Sequence, residues 1–148
     1  MIRKFLVADD DPDDTDLFGE ALSSIDVSIE FNCVNNGKEL IENLKSGKFT
    51  EPHVIFLDIN MPEMNGWECL KNLKKEKEFK DIPVIMYSTS SSVSDGRKAV
   101  SFGALGLYEK PPSFLLLQKF LESISSATDL KRRLKEIEAD KSHKVYSG

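Results

Sequence analysis

HVIFLD, residues 53–58, is an apolar strand that stops at an aspartate, and INMPEMNGWE, residues 59–68, carries the chain through a loop into a helix. A short unbroken apolar run predicts a strand buried on both faces, because a half-exposed strand would alternate apolar and polar positions. Trp67, Leu70 and Leu73 then recur at helical spacing. A buried strand followed by an amphipathic helix predicts a parallel sheet with helices packed over it.

Upstream, IRKFLVA (residues 2–8) is a similar run that breaks into the acidic stretch Asp9–Asp14, and Leu17, Phe18, Ala21, Leu22 and Ile25 follow at helical spacing. In VSIEFNCV (27–34), Val27, Ile29, Phe31 and Cys33 alternate with polar residues, the pattern of a half-buried, edge-like strand. Gly37–Leu44 predicts a short helix with Leu40, Ile41 and Leu44 inward, ended near Gly47. Downstream, PVIMYS (83–88) is another apolar run, ending on Ser88, and Val93–Phe102 is a weaker helix. Gly106–Lys110 is a short fifth strand, and Ser113 is placed to cap a helix carrying Phe114, Leu117, Phe120, Leu121 and Ile124 inward. The fold class is α/β: a doubly wound sandwich in which five strands alternate with five helices around a parallel sheet. Chemistry in such sheets gathers at the carboxyl ends of the strands.

The chain has 148 residues, enough for one domain over 1–125 and an extension over 126–148. That extension is mostly charged, with Leu130, Leu134 and Ile137 as its only helical stripe. It is expected either to be a solvated helical continuation with a frayed end or to form a contact for self-association. The net charge of −5 argues against nucleic acid and against anionic membrane, since either wants a clustered basic face. Cys33 and Cys69 lack metal-ligand spacing and are expected as core packing. The first residues are too briefly apolar for a signal peptide, and no run approaches transmembrane length, so a cytoplasmic address is expected.

The strand ends carry the chemistry: Asp9 and Asp10 after the first, Asp58 on the third, Ser88 on the fourth, Lys110 on the fifth. Three carboxylates held together either raise their pKa values or take a cation, and hard oxygen donors without histidine or thiolate suit magnesium. Any one of these aspartates is equally a helix cap. A lysine and a hydroxyl on neighbouring strands change that reading. They supply a cation and a donor where a phosphoryl group on Asp58 would sit, and a carboxylate is a competent nucleophile for an acyl phosphate.

VADDDPDD, VIFLDINMPEMNGWE, PVIMYSTS and LYEKPP together, in this order and spacing, resemble the signature segments of response regulator receiver domains over about residues 2–125. The resemblance implies a flavodoxin-like (βα)5 fold with strand order 2-1-3-4-5. It also implies phosphorelay signalling, with a sensor histidine kinase or phosphotransfer protein donating a phosphoryl group to Asp58. Asp9 and Asp10, with Asp58 and the backbone carbonyl of Asn60, would hold Mg2+. Ser88 stands at the hydroxyl position that moves toward the phosphoryl group, Thr89 at the small residue that leaves the phosphate accessible, and Lys110 at the lysine that pairs with it. Lys110–Pro111 matches a peptide bond that is usually cis in the family. The charged extension is similar to those of some single-domain receivers, including partners of phytochrome kinases.

One position departs from the family. Three residues before the lysine, receivers often carry an aromatic that changes rotamer on activation, and this chain has Leu107, with Tyr108 one place later. Neighbouring side chains of a strand face opposite ways, so Tyr108 does not substitute. Trp67 is expected in packing rather than in binding. A phosphatase of the haloacid-dehalogenase kind is a rival, but it needs an acid two residues past the nucleophile, where Asn60 stands. A receiver that only binds is a second rival, and the complete set of site residues argues against it. The expected role is therefore a switch rather than a turnover enzyme, with no output domain following. It would act on a downstream protein or self-associate through the fourth helix, fifth strand and fifth helix.

Overall fold

Each strand and helix read from the sequence forms, the second strand starting three residues later than expected, in a computed structural model that describes residues 1–148. In chain order these are β1 (Lys4–Ala8), α1 (Pro12–Ile25), β2 (Glu30–Val34), α2 (Gly37–Lys45), β3 (Val54–Asp58), α3 (Gly66–Lys75), β4 (Val84–Ser88), α4 (Val93–Ser101), β5 (Gly106–Glu109) and α5 (Phe114–Ser125). Local chemistry starts the helices where the sequence places them. Pro12 opens α1 behind an Asp11 cap, and the side chains of Asn36, Asn65, Ser92 and Ser113 each accept a backbone N–H of the following turn.

The first five strands pair in parallel in the order β2-β1-β3-β4-β5, the flavodoxin-like arrangement. Alternation along the buried strands separates two cores. Phe56, Tyr87 and Tyr108 lie in one with Phe18 of α1 and Phe120 of α5. Leu57, Met86 and Leu107 lie in the other with Leu40, Leu70 and Ala99 from α2, α3 and α4. Leu107 and Tyr108 therefore do face opposite sides of the sheet. Trp67 packs edge-on to Phe102 with ring centroids 6.0 Å apart, the packing role expected of it.

The extension differs from its expected form. α5 ends at Ser125, and a separate helix, α6 (Leu130–Asp140), starts behind an Asp129 cap. Leu130, Leu134 and Ile137 are buried in the same core as α5, so the thin stripe is a packing face rather than a solvated one. α6 closes on Lys141 in the left-handed conformation, φ 61°, and the chain returns as β6 (Val145–Tyr146), antiparallel to β5. The end is thus a sixth strand and not frayed. Two residues are too few to show a period, which is why the strand escapes a pattern reading.

Three further expectations change. Cys69 is buried, but Cys33 is exposed on edge strand β2, beside Thr15 and Asp16 of α1. Val27, 89% exposed, precedes β2 instead of belonging to it, and Leu17 is exposed on α1. Lys110–Pro111 is trans, as is every peptide bond here. Trans is the lower-energy isomer, and in it the Lys110 side chain already reaches its carboxylate partners. No helix is long and apolar enough to cross a membrane.

Candidate functional site

The carboxyl ends of β1, β3 and β5 bring Asp9, Asp58 and Lys110 together because these strands are neighbours or near neighbours in register. The Lys110 ammonium donates to Asp9 Oδ2 at 2.8 Å and to Asp58 Oδ2 at 3.3 Å. It also donates to Asp14 Oδ2 at 2.8 Å. Its ammonium lies 5.1 Å from the Tyr87 ring centroid, close enough for a cation–π contact. Asp14 sits in the first turn of α1, which the Pro12 start aims back across the strand ends. Sequence reading missed it as a site residue. The signal was its place one helical turn after Asp10 in DDDPDD, which a count of strand-end residues passes over.

Backbone donors fix the two buried acids. Asn60 N–H donates to Asp58 Oδ1 at 3.1 Å, and Asp11 N–H donates to Asp9 Oδ1 at 3.0 Å. The loop after Asp58 doubles back so closely that a Cβ on Gly66 would collide with the Asp58 carbonyl oxygen, so only glycine fits there. Gly66 N–H closes this turn by donating to the Ile59 carbonyl at 2.9 Å.

Electrostatics follow from this crowding. The Asp58 carboxyl is pushed up to about 6, foremost by burial, with the Lys110 ammonium opposing and the Asp9 carboxylate adding to the rise. Burial works against the charge of Lys110, but hydrogen bonds to Asp14 and Asp9 outweigh it and hold the ammonium above its usual pKa. The Tyr87 hydroxyl is likewise raised, first by burial and then by Asp14, Asp9 and Asp58. One ammonium thus stands among four carboxylates, counting Asp10 at the exposed rim.

Carboxylate oxygens of Asp9, Asp10 and Asp58 all lie within 4.8 Å of one another. Hard oxygens at this spacing, with two of the three acids buried and excess negative charge, fit a divalent cation. Asn60 is exposed beside the trio. Ser88 is buried at the end of β4, but its hydroxyl donates to the Ser90 carbonyl at 2.6 Å rather than to Asp58. Thr89 is exposed next to it. The Lys110 N–H donates to the Ser88 carbonyl at 2.7 Å, tying the ends of β4 and β5 together.

A family model of the response regulator receiver domain matches residues 5–122. The chain belongs to the response regulator receiver domain family. The receiver is 29% identical over 126 residues to the chemotaxis protein CheY1 of Helicobacter pylori, a match covering 85% of this chain and 99% of that protein. It is 36% identical over 78 residues to the two-component response regulator ORR3 of Oryza sativa, covering 53% of this chain and 58% of that one. Among solved structures, it superposes on the phosphorylated cyanobacterial phytochrome response regulator RcpA with a TM-score of 0.78 at 25% identity, covering 87% and 97% of the two chains. The Mn2+-bound form of response regulator Rcp1 gives 0.73 at 25% identity, covering 82% and 91%. The receiver is accordingly a response regulator of phosphorelay signalling.

Proposed function

We propose that Asp58 is the phosphoacceptor of this receiver and that a sensor histidine kinase or phosphotransfer protein is the donor. The observation that carries this is the position of Asp58 Oδ2, 3.3 Å from the Lys110 ammonium at the strand ends and beside two further acids. An Asp58 carboxylate oxygen attacks the phosphorus of the donor phosphohistidine: one P–O bond forms, one P–N bond breaks, and the imidazole leaves as it takes up a proton. Asp9, Asp10, Asp58 and the Asn60 carbonyl would hold Mg2+, which supplies charge neutralisation at the phosphoryl oxygens.

The protein's own residues do the positioning. Asn60 N–H holds one Asp58 oxygen and leaves the other toward Lys110. In the phosphorylated state Lys110 exchanges a carboxylate partner for a phosphoryl oxygen, and the Ser88 hydroxyl leaves the Ser90 carbonyl to donate to another. Thr89, small and exposed, keeps the site open to the donor. The receiver acts only on its own aspartyl phosphate and turns over no external substrate. Its working compartment is the cytoplasm. The altered surface then passes the message by association with a downstream protein or with a second copy through α4, β5 and α5.

Incubating the protein with a small-molecule phosphodonor and Mg2+, followed by intact-mass measurement, tests this. One added phosphate is expected on the native chain and none on Asp58→Asn. Modification that persists in the variant would move the site elsewhere.

A further inference from the structure

Leu107 stands where receivers often carry an aromatic, yet an aromatic does occupy the space beside it. β6 pairs with β5 so that Tyr146 lies directly opposite Leu107, and Tyr146 packs against the core that contains Leu107 and Ala99 of α4. Two glycines make room for it. A Cβ on Gly96 of α4 would collide with the Tyr146 side chain, and one on Gly106 of β5 would meet the Tyr146 carbonyl. The Tyr146 side chain therefore lies hard against α4 at Gly96, while its backbone crosses β5 closely at Gly106.

The same segment is wired to the strand ends. The Ser91 hydroxyl, in the β4–α4 loop, donates to Glu109 Oε1 at 3.0 Å, and Glu109 Oε2 pairs with the Lys144 ammonium at 3.4 Å. Glu109 N–H also donates to the Lys144 carbonyl at 3.0 Å. Ser91 lies next to Ser90, whose carbonyl holds the Ser88 hydroxyl. A continuous set of contacts thus runs from Ser88 through the β4–α4 loop and Glu109 to Lys144. On the other side the segment is fastened to α6, since Ser147 donates to Glu138 Oε1 through its hydroxyl at 2.6 Å and its N–H at 3.2 Å.

We propose that Tyr146 is the aromatic positioning residue of this receiver, and that phosphorylation of Asp58 loosens residues 141–148 from the α4–β5 face they cover. The inference rests on the phosphoacceptor reading of Asp58. When the Ser88 hydroxyl turns to the phosphoryl group it releases the Ser90 carbonyl. The β4–α4 loop then shifts and takes Ser91 from Glu109. α4 begins two residues after Ser91, so its first turn moves with the loop, and Gly96 leaves no tolerance for such a move against Tyr146. The coupling is reciprocal: whatever loosens β6 favours the phosphorylated arrangement by the same factor.

Hydrogen exchange on the whole protein, with and without phosphodonor and Mg2+, tests this alongside the intact mass of the same samples. Once mass shows the phosphate, exchange within residues 141–148 is expected to rise by about tenfold, with no such rise in Asp58→Asn. Tyr146→Phe should keep the response. Tyr146→Ala should exchange rapidly here in both states, keep the slow exchange of β1 and β3, and bind the phosphoryl mimic beryllofluoride with Mg2+ more tightly than the native chain. Full phosphorylation with unchanged exchange in 141–148 overturns the proposal and leaves the phosphoacceptor reading intact, as does unchanged beryllofluoride affinity in Tyr146→Ala. Absence of any added phosphate overturns both.

Discussion

Asp14 stands as close to Lys110 as Asp9 does, 2.8 Å from Nζ to Oδ2 in each case, while Asp58 is the more distant partner at 3.3 Å. The ammonium is thus shared among three acids, and Asp58, the proposed phosphoacceptor, is the most distant of them.

Asp14→Asn should let Lys110 settle closer to Asp58. A nearer cation and one fewer negative charge both favour the carboxylate, so the Asp58 pKa should fall below its value of about 6. Carbon-detected NMR titration of the Asp58 carboxyl reads this directly. An unmoved titration would mean that Asp14 does not compete for the lysine.

Asp58→Asn should stabilise the metal-free protein at neutral pH by about 1–3 kcal/mol, because it removes a buried charge that the fold disfavours. Lys110 keeps Asp9 and Asp14 as partners in the variant. Urea unfolding gives the comparison. Added Mg2+ should raise the midpoint of the native chain and narrow the difference, since the cation relieves the crowding the substitution removes.

Gly66→Ala should destabilise by about 1–3 kcal/mol or more, because the added methyl group meets the Asp58 carbonyl and the Ile59 backbone rather than a side chain that can yield. The Asp58–Asn60 geometry shares this turn, so phosphorylation should slow as well. Unfolding and phosphodonor kinetics on one preparation check both.

Leu134→Ala should cost about 2–5 kcal/mol, the range for a leucine in a closed core. Leu134 is fully buried on α6. A stripe on a solvated helix would give a change near zero, so chemical denaturation separates the two descriptions of residues 126–148 cleanly.

His143 supplies a pH dependence. Its imidazole lies 5.4 Å from the Phe120 ring and 3.4 Å from the Tyr108 hydroxyl. Burial lowers its pKa, with Asp140 opposing and Lys119 adding to the fall. The unfolded chain therefore takes up a proton at a higher pH than the folded one. Stability from the neutral ring is present above the ordinary histidine value of 6.5 and is lost as pH falls from there through the lower folded value. His143→Phe removes this loss, so the midpoint difference between variant and native chain should shift in favour of the variant as pH falls from about 7.5 to about 5.5, the opposite contribution of Asp58 being common to both.

Much of this molecule is legible from residue order. The runs at 54–57 and 84–87 are apolar on both faces, which only a covered parallel sheet explains, and the residues ending each strand must then share an edge. Asp9, Asp58 and Lys110 meet for that reason. Asp14 was harder to see, because its place depends on where α1 starts and how it tilts, which no periodicity records. Ser88 was placed at the right edge, but its hydroxyl direction follows from the local loop and turns toward Ser90. The sixth strand and its tyrosine depend on a chain reversal at Lys141, a non-glycine residue in the left-handed region that sequence patterns rarely announce.

β6 also bears on aggregation. A parallel sheet has two outer strands whose unpaired backbone groups can recruit a foreign strand. By covering β5, Val145 and Tyr146 replace a four-residue apolar edge with a two-residue one, and the other outer strand, β2, carries Glu30 and Asn32. A preparation lacking residues 141–148 would present the apolar strand β5 bare, and fibril-like association at high concentration is the expected consequence.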